Sequence, residues 1–267
     1  MIASLRLAFS LLTVLPVRGP RTVDRSRAGW AMTLAPLVGL VLAFGAALVV
    51  FACRQLFDNP GASPLPALIG LGTLAIVTGG LHLDGLADLA DGIGARRDAP
   101  GTLAVMREPT VGAFAVVALI FALGLQTFAL TLAIQRHHGT VTMIVGVLAG
   151  RLLIPLACAA RTPAARPEGL GALVVGTVPR WRAAVVLVLG AAVALFAGRY
   201  DYHGGGPAES LHALVALAVG LVAGDALRRA AVRKLGGLNG DVLGAVVEVA
   251  TTVTMVIMAI RVPRFLY

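Results

Sequence analysis

Seven stretches of the chain are long and apolar enough to cross a bilayer as helices, which limits the folds that the chain can adopt. A membrane-spanning helix needs about 20 predominantly apolar residues, because its backbone groups must be satisfied internally across roughly 30 Å of hydrocarbon. The composition agrees, since 58% of residues are hydrophobic, 13% are charged, and the mean hydropathy is +0.90. We therefore predict an all-α, polytopic integral membrane protein with about seven transmembrane helices. The predicted spans are about 30–52, 65–83, 110–134, 141–160, 183–198, 210–227 and 242–260.

The N-terminal segment MIASLRLAFSLLTVLPV is apolar, but Arg6 interrupts it, and Pro16 and Arg18 end it. It has no small-residue cleavage site, so we predict an interfacial amphipathic helix rather than a cleaved signal peptide. No linker, long polar insertion or obvious repeat divides residues 1–267, and we interpret them as a single membrane-embedded domain.

Glycine accounts for 32 residues. Pairs such as Gly146/Gly150 and Gly220/Gly224 have the spacing that lets helix backbones approach closely in lipid. Simple tolerance of glycine in membrane helices explains them equally well. The only cysteines, Cys53 and Cys158, are predicted near opposite membrane faces, which excludes a disulfide framework and a cysteine metal site.

Basic residues are distributed unevenly between alternate loops. Sixteen Lys and Arg residues fall on the side of the N-terminus, whereas Arg151 lies inside a span. The other side has five, which are Arg54, Arg136, Arg199, Arg261 and Arg264. The positive-inside rule then predicts a cytoplasmic N-terminus and an external C-terminus. Because the loops explain the net charge of +9, no nucleic-acid partner is expected.

Three aspartates, Asp84, Asp88 and Asp91, follow the second predicted span. Their i, i+4 and i+7 spacing places them on one face if that span continues as a helix, although Gly85, Gly92 and Gly94 weaken it. Two carboxylates about 6 Å apart repel by roughly 3 kcal/mol at an effective dielectric constant near 20, so the cluster needs a counter-charge. Oxygen ligands suit Mg²⁺, which takes one or two carboxylates and completes its shell with water and phosphate oxygens. The competing interpretation is a solvated helix end whose acids pair with Arg96, Arg97 or Arg107.

A second acidic pair lies at the start of the last predicted span. Asp241 is at its mouth, and Glu248 is seven residues, or two turns, deeper on the same face. An ionisable group within an apolar segment costs several kcal/mol unless it is paired or hydrated, so Glu248 indicates a function. Arg151 is available to neutralise an acid or bind an anion. His82 is expected to be a polar neighbour rather than a ligand.

Arginines and glycines adjoin these acids in two further stretches. LAVMREPTVGAFA contributes Arg107 and Glu108, and RPEGLGALVVG contributes Arg166 and Glu168. Carboxylates able to hold a metal, next to arginines and glycine-rich backbone, indicate a site for a phosphate ester or diphosphate. We therefore favour phosphoryl transfer at a membrane surface over a transport pathway. Asp225 is instead expected to pair with Arg228 or Arg229, one turn further along.

Four motifs occur in an order that resembles the cobalamin synthase family, the adenosylcobinamide-GDP ribazoletransferases of bacterial and archaeal membranes. They are GGLHLDGLADLADG, MREPTVGAFAVVAL, EGLG and LGGLNGDVLGA, and the resemblance runs from FSLLTVLPV to the last span. The chain departs from the family pattern at two places. Asn239 stands where Thr is usual before the Gly-Asp pair, and Glu108 and Pro109 stand where Asp-Ser is usual.

The resemblance implies a transferase that joins adenosylcobinamide-GDP to α-ribazole or its 5′-phosphate, releases GMP and requires Mg²⁺. It also implies a multi-pass protein of the bacterial inner membrane whose active site faces the cytoplasm. The lipid bilayer is the expected partner, and a homo-oligomer or other corrinoid-pathway enzymes are possible ones.

The residues expected to form this site fall into three sets. The predicted catalytic acids are Asp84, Asp88, Asp91 and Asp241. The predicted Mg²⁺ ligands are the same four acids and Glu248. The predicted substrate-binding residues are Arg96, Arg107, Arg151, Arg166 and Asn239.

Two other functions fit part of the sequence. The segment from Asp88 to Arg96 fits the first half of the CDP-alcohol phosphotransferase signature, but the second half needs two more aspartates, and none occurs between Asp98 and Asp201. An ion-coupled transporter also uses intramembrane acids and broken helices, but it places them near the midplane and often shows paired repeats. Here most of the acids are predicted to cluster at one face.

Overall fold

The structure is a computed structural model and describes residues 1–56, 63–201 and 205–260. Over these ranges the chain forms twelve helices. They are α1 (Ile2–Leu12), α2 (Arg25–Thr33), α3 (Ala35–Leu56), α4 (Leu65–Val77), α5 (Leu81–Gly94), α6 (Ala99–Val105), α7 (Ala113–Gln135), α8 (Gly139–Ala159), α9 (Leu170–Val174), α10 (Arg180–Arg199), α11 (Pro207–Leu235) and α12 (Gly240–Met258).

Six of these helices, α3, α7, α8, α10, α11 and α12, are long and apolar enough to cross a membrane. The bent pair α4 and α5 makes a seventh when it is taken as one span. The all-α, polytopic prediction is therefore confirmed. With 11 residues, α1 rises only about 16 Å and is too short to cross, as the sequence predicted.

The second predicted span is not one continuous helix. It breaks after Val77, and α5 leaves at 89° to α4. Gly79 and Gly80 have φ values of +61° and +70°, which only residues without a Cβ adopt without strain, so the glycine pair allows the turn. The backbone N–H of Val14 donates to the carbonyl of Val77 (2.8 Å), which ties the segment after α1 to the end of α4. The three aspartates consequently lie on a separate helix that runs across the bundle.

Glycine pairs allow the central helices to pack closely. The most shielded helix is α8, with 94% of its most apolar stretch buried by its neighbours, among them α3 and α12. A methyl group at Gly150 would lie 2.6 Å from the Val247 carbonyl oxygen, and one at Gly220 would lie 2.8 Å from that of Ala250. α12 therefore packs against α8 and α11 at small-residue faces, which favours the close-approach interpretation of these glycines.

The predicted basic loops meet at one end of the bundle, where α7, α10 and α12 begin; we call it the arginine-rich end. Arg25 Nη2 donates to the Val175 carbonyl (2.6 Å) and Lys234 Nζ to that of Arg97 (2.6 Å). Arg182 stacks 3.7 Å above the ring of Trp30. Two arginines assigned to the opposite side, Arg261 and Arg264, lie outside the described residues.

Candidate active site

The first turn of α12 packs directly against α5, and this contact brings the two acidic motifs together. A methyl group at Gly85 would lie 2.7 Å from the carbonyl oxygen of Asp241 and 3.0 Å from Gly244 Cα. Only glycine on both helices permits this distance. The glycines that weaken α5 in isolation therefore position its acids next to Asp241.

Three carboxylates converge at this crossing, at the arginine-rich end. Asp84 is exposed, whereas Asp88 and Asp241 are half-buried. Asp88 experiences the negative charge of Asp84, Asp91 and Asp241, and Asp241 experiences that of Asp84. The site therefore concentrates negative charge that a cation or a bound proton has to offset.

Arg166 supplies positive charge beside these acids. Its Nη2 donates to the Leu103 carbonyl (2.8 Å), while its buried Nε has no hydrogen-bond partner. Burial lowers the pKa of this guanidinium from its usual value, and Arg107 lowers it further, while Asp241 and Asp88 act in the opposite direction. Two predicted substrate-binding arginines, Arg107 and Arg166, thus lie near each other, and Arg166 also lies near Asp88 and Asp241.

Asp91 has a different environment from the other acids of α5. Its Oδ2 accepts from the backbone N–H of Gly112 (2.6 Å), and its Oδ1 accepts from that of Ala115 (2.9 Å). Gly112 is the N-cap residue of α7 and has no side chain to cap it, so Asp91 performs that function from another helix. Sequence reasoning missed this role. The prediction that Asp91 also binds Mg²⁺ is a separate proposal.

Asn239 caps α12 and fixes Asp241. Its Oδ1 accepts from the backbone N–H of Val242 (2.9 Å), and its Nδ2 donates to Asp241 Oδ2 (2.9 Å). The cap of α12 is therefore Asn239, and Asp241 lies at the second position of the helix. Thr, usual at this position in the resembled family, is also an N-cap residue, so the substitution keeps the helix start.

Glu248 and Arg151 lie deeper, inside the bundle. Glu248 is 8% exposed and accepts from Gln126 Nε2 (2.9 Å), which also donates to Thr252 Oγ1 (2.9 Å). The charge of Arg151 acts on Glu248, as predicted for a buried cation near an acid. Seven residues separate Glu248 from Asp241, a rise of about 10 Å along α12. Gln126 was missed, although a lone amide in an apolar span is a signal for an inward polar contact.

His82 connects this interior cluster to the site. It is 4% exposed, and its Nδ1 lies 3.4 Å from Arg151 Nη2, which agrees with the prediction of a polar neighbour.

Two cavities meet at Asp84. One of about 310 Å³ lies among α1, α2, α5, α8, α9 and α12 and has Asp84 and Asp241 in its wall. The other, of about 600 Å³, lies between α1, the turn at Gly79 and Gly80, and α7. Asp84 lines both cavities, so this acid borders space on two sides.

Other predicted residues lie away from this crossing. Arg96 is exposed just beyond the end of α5, with a φ of +52°. Asp225 pairs with Arg228 and Arg229 (2.7 Å each), which confirms the salt bridge expected from the sequence. Across the described residues, no three His, Cys, Asp or Glu side chains are close enough together to form a metal cage made of protein alone.

Residues 4–259 of the chain match a family model described as cobalamin-5-phosphate synthase. The chain belongs to this family. A Frankia casuarinae protein named adenosylcobinamide-GDP ribazoletransferase is 46% identical over 98% of this chain and 96% of its own length. Proteins of the same name from a Nocardioides strain and from Bradyrhizobium diazoefficiens are 36% and 35% identical, covering 96% and 97% of this chain and 98% and 94% of their own. No solved structure matches.

The range matched by the cobalamin-5-phosphate synthase model includes most of α1 and all of α2 to α12. The acidic segment of α5, the loop carrying Arg166 and the Asn239 cap all lie within the matched range. The CDP-alcohol phosphotransferase and transporter alternatives receive no support from these matches.

Proposed function

We propose that this chain is an adenosylcobinamide-GDP ribazoletransferase, which joins adenosylcobinamide-GDP to α-ribazole or its 5′-phosphate and releases GMP in cobalamin biosynthesis. The names of its relatives supply the reaction. We assign the reaction to the crossing of α5 and α12 because three carboxylates meet there. Arg166 lies beside them, and its Nε–H has no hydrogen-bond partner.

In this reaction a ribose hydroxyl of α-ribazole attacks the phosphorus attached to cobinamide. A new O–P bond forms, the bond from that phosphorus to the bridging oxygen breaks, and GMP leaves with that oxygen. A carboxylate of the crossing accepts the hydroxyl proton, and Asp241 is suited to this because Asn239 orients it. Arg166 and Arg107 bind the diphosphate, because guanidinium groups match phosphate oxygens in charge and geometry.

The donor set at the crossing fits Mg²⁺. The ion usually takes one or two protein carboxylates and completes its octahedral shell with water and substrate phosphate oxygens, so a complete protein cage is unnecessary. Asp84 and Asp88 would hold it, because their repulsion of each other and of Asp241 needs a counter-charge. Asp91 and Glu248 already accept hydrogen bonds from other protein groups, so they are less suited to bind Mg²⁺. When bound, Mg²⁺ would neutralise charge that develops on the diphosphate.

We place the arginine-rich end at the cytoplasmic face of a bacterial inner membrane. Support comes from the positive-inside rule and from the clustering of basic loops at the same end as the acids. Both substrates are large and polar and would approach from that aqueous side. Association with a second copy or with other corrinoid-pathway enzymes stays a prediction.

The test uses purified protein in lipid nanodiscs and measures GMP released from adenosylcobinamide-GDP. Release is expected only when α-ribazole and Mg²⁺ are both present. Asp241→Asn is the matched variant, because Asn239 keeps the cap of α12 and expression should be normal, whereas turnover should fall at least about 100-fold. GMP release without α-ribazole would indicate a hydrolase instead, and near-normal turnover of Asp241→Asn would remove that acid from the mechanism.

A further inference from the structure

The cavity of about 310 Å³ has a wall that selects for an apolar occupant. Seven aliphatic side chains from six different helices line it, among them Leu11, Met32, Leu81, Ile154, Leu170 and Leu243. Its volume lies near the lower end of small-molecule sites, which span roughly 300–1,000 Å³, so it suits a nucleoside and is too small for a corrinoid.

Polar groups occur at only a few positions of this wall. Asp84 and Asp241 supply carboxylates, and they are the acids of the proposed reaction centre. His82 supplies the third polar side chain and is almost fully buried. A molecule in the cavity therefore meets aliphatic surface, one imidazole and the reactive acids.

The proton of His82 can be assigned from its neighbour. Arg151 Nη2 lies 3.4 Å from His82 Nδ1, and a guanidinium only donates hydrogen bonds, so Nδ1 is the acceptor. A neutral imidazole then carries its proton on Nε2. Because His82 lines the cavity, Nε2–H is a donor for its occupant. Arg151 is therefore the positioning residue for His82, and its charge also acts on Glu248.

We propose that this cavity binds the benzimidazole base of α-ribazole, with His82 donating to the unattached ring nitrogen and the ribose directed towards Asp84 and Asp241. The choice of substrate rests on the proposed function. A benzimidazole is flat and apolar and has one acceptor nitrogen free once the other carries the ribose. Guanine fits this wall poorly, because its several donors and acceptors would be buried without partners.

The first test measures binding, which requires no turnover. Equilibrium dialysis of α-ribazole against the full chain in nanodiscs should detect binding by the wild type. Leu170→Trp should weaken it at least about 10-fold, because the indole would occupy the cavity. Leu173→Trp is the matched control, since Leu173 is half-buried on the same helix and does not line the cavity, and it should bind α-ribazole as the wild type does. Absence of wild-type binding, or equal binding by wild type and Leu170→Trp, would overturn the proposal.

The second test isolates the hydrogen bond. His82→Phe should weaken binding of α-ribazole about 10-fold or more but should not weaken binding of the analogue in which carbon replaces the free ring nitrogen. His82→Gln, which keeps a hydrogen-bond donor, should restore part of the preference for α-ribazole over this analogue. Equal loss for both ligands would refute the role of His82. If α-ribazole binds as expected but no GMP is released with both substrates and Mg²⁺, the proposed reaction fails while the base-binding cavity stands.

Discussion

Asp88 and Asp91 are one turn apart on α5, yet their surroundings assign them different tasks. Asp88 has acids on several sides and Arg166 nearby, whereas both oxygens of Asp91 accept backbone N–H groups of α7. We therefore assign Asp88 to the reaction and Asp91 to the stability of the fold.

Asp88→Asn should abolish turnover, with a decrease of at least about 100-fold, because it removes a charge from the proposed Mg²⁺ and diphosphate site. Membrane insertion and thermal stability should match the wild type, since neutralising one member of a repelling cluster does not destabilise the fold. The measurements are GMP release at saturating substrates and thermal unfolding in nanodiscs. Full activity at ordinary Mg²⁺ concentrations would contradict this assignment.

Asp91→Ala should instead lower the free energy of unfolding, because it removes the cap of α7. The loss of a cap typically costs about 1 kcal/mol, with a range of roughly 0.5–2 kcal/mol. Asp91→Asn is the control, since its amide oxygen still accepts one of the two bonds and should restore part of the stability. An Asp91→Ala protein that is as stable as the wild type would show that α7 does not depend on this cap.

The sequence draws attention to some of these residues and gives no sign of the roles of others. Asp84, Asp88 and Asp241 could be chosen because acids at the ends of apolar spans need compensation. The capping role of Asp91 was unpredictable, because its partners lie more than 20 residues away and depend on how α5 meets α7. The cap of α12 was readable, because Asn before a helical segment is a standard N-cap signal.

At the scale of elements, the contact of α5 with α12 determines the geometry of the site. Gly85→Ala should lower turnover at least about 10-fold, because its methyl group would lie 2.7 Å from the Asp241 carbonyl oxygen and would force the helices apart. Gly124→Ala is the matched control on α7, where no atom lies within 4 Å of the added methyl group. Turnover of the two variants is compared per folded molecule, so that a difference in folding yield is not counted as a difference in activity. Equal activity of the two variants would mean that the crossing tolerates displacement.

A second link between elements lies at the opposite end of the bundle. His138, just before α8, contacts Asp201, just after α10, and the hydrogen bond with Asp201 raises the pKa of His138 above its ordinary 6.5, reinforced by Glu209 and opposed by burial and Arg136. A raised pKa means that this stabilisation is fully present below pH 6.5 and is lost as the pH rises through the pKa of the folded protein.

Thermal unfolding measured from about pH 6 to about pH 9 should therefore show decreasing stability. His138→Gln should remove the part of that decrease that belongs to this pair. If His138→Gln and the wild type had the same dependence of stability on pH, the pair of His138 and Asp201 would not contribute to it.

The break in the second span was the main error at this scale. Hydropathy alone merged α4 and α5, because apolar residues continue on both sides of Gly79 and Gly80. The Gly-Gly dipeptide is a turn signal and marks the position of the break. The 89° angle was not predictable, since it depends on packing against α7 and α12.

For the whole molecule, the orientation in the membrane is the main expectation. Thr140 is exposed at the start of α8, and Arg97 is exposed at the arginine-rich end. In whole cells, Thr140→Cys should react with an impermeant thiol reagent, whereas Arg97→Cys should react only after lysis. Cys53 and Cys158 are buried and should contribute little background. The reverse pattern would invert the topology and place the acids outside the cytoplasm.

The right-angle turn after α4 also has a consequence for the lipid around the protein. With 13 residues, α4 rises only about 20 Å, against a hydrocarbon thickness of roughly 30 Å. Lipids beside α4 therefore face a hydrophobic surface too short for them, and such mismatch is relieved by local thinning of the bilayer. We therefore expect the bilayer to thin on this flank, which would shorten the path from the aqueous phase to the acids of α5.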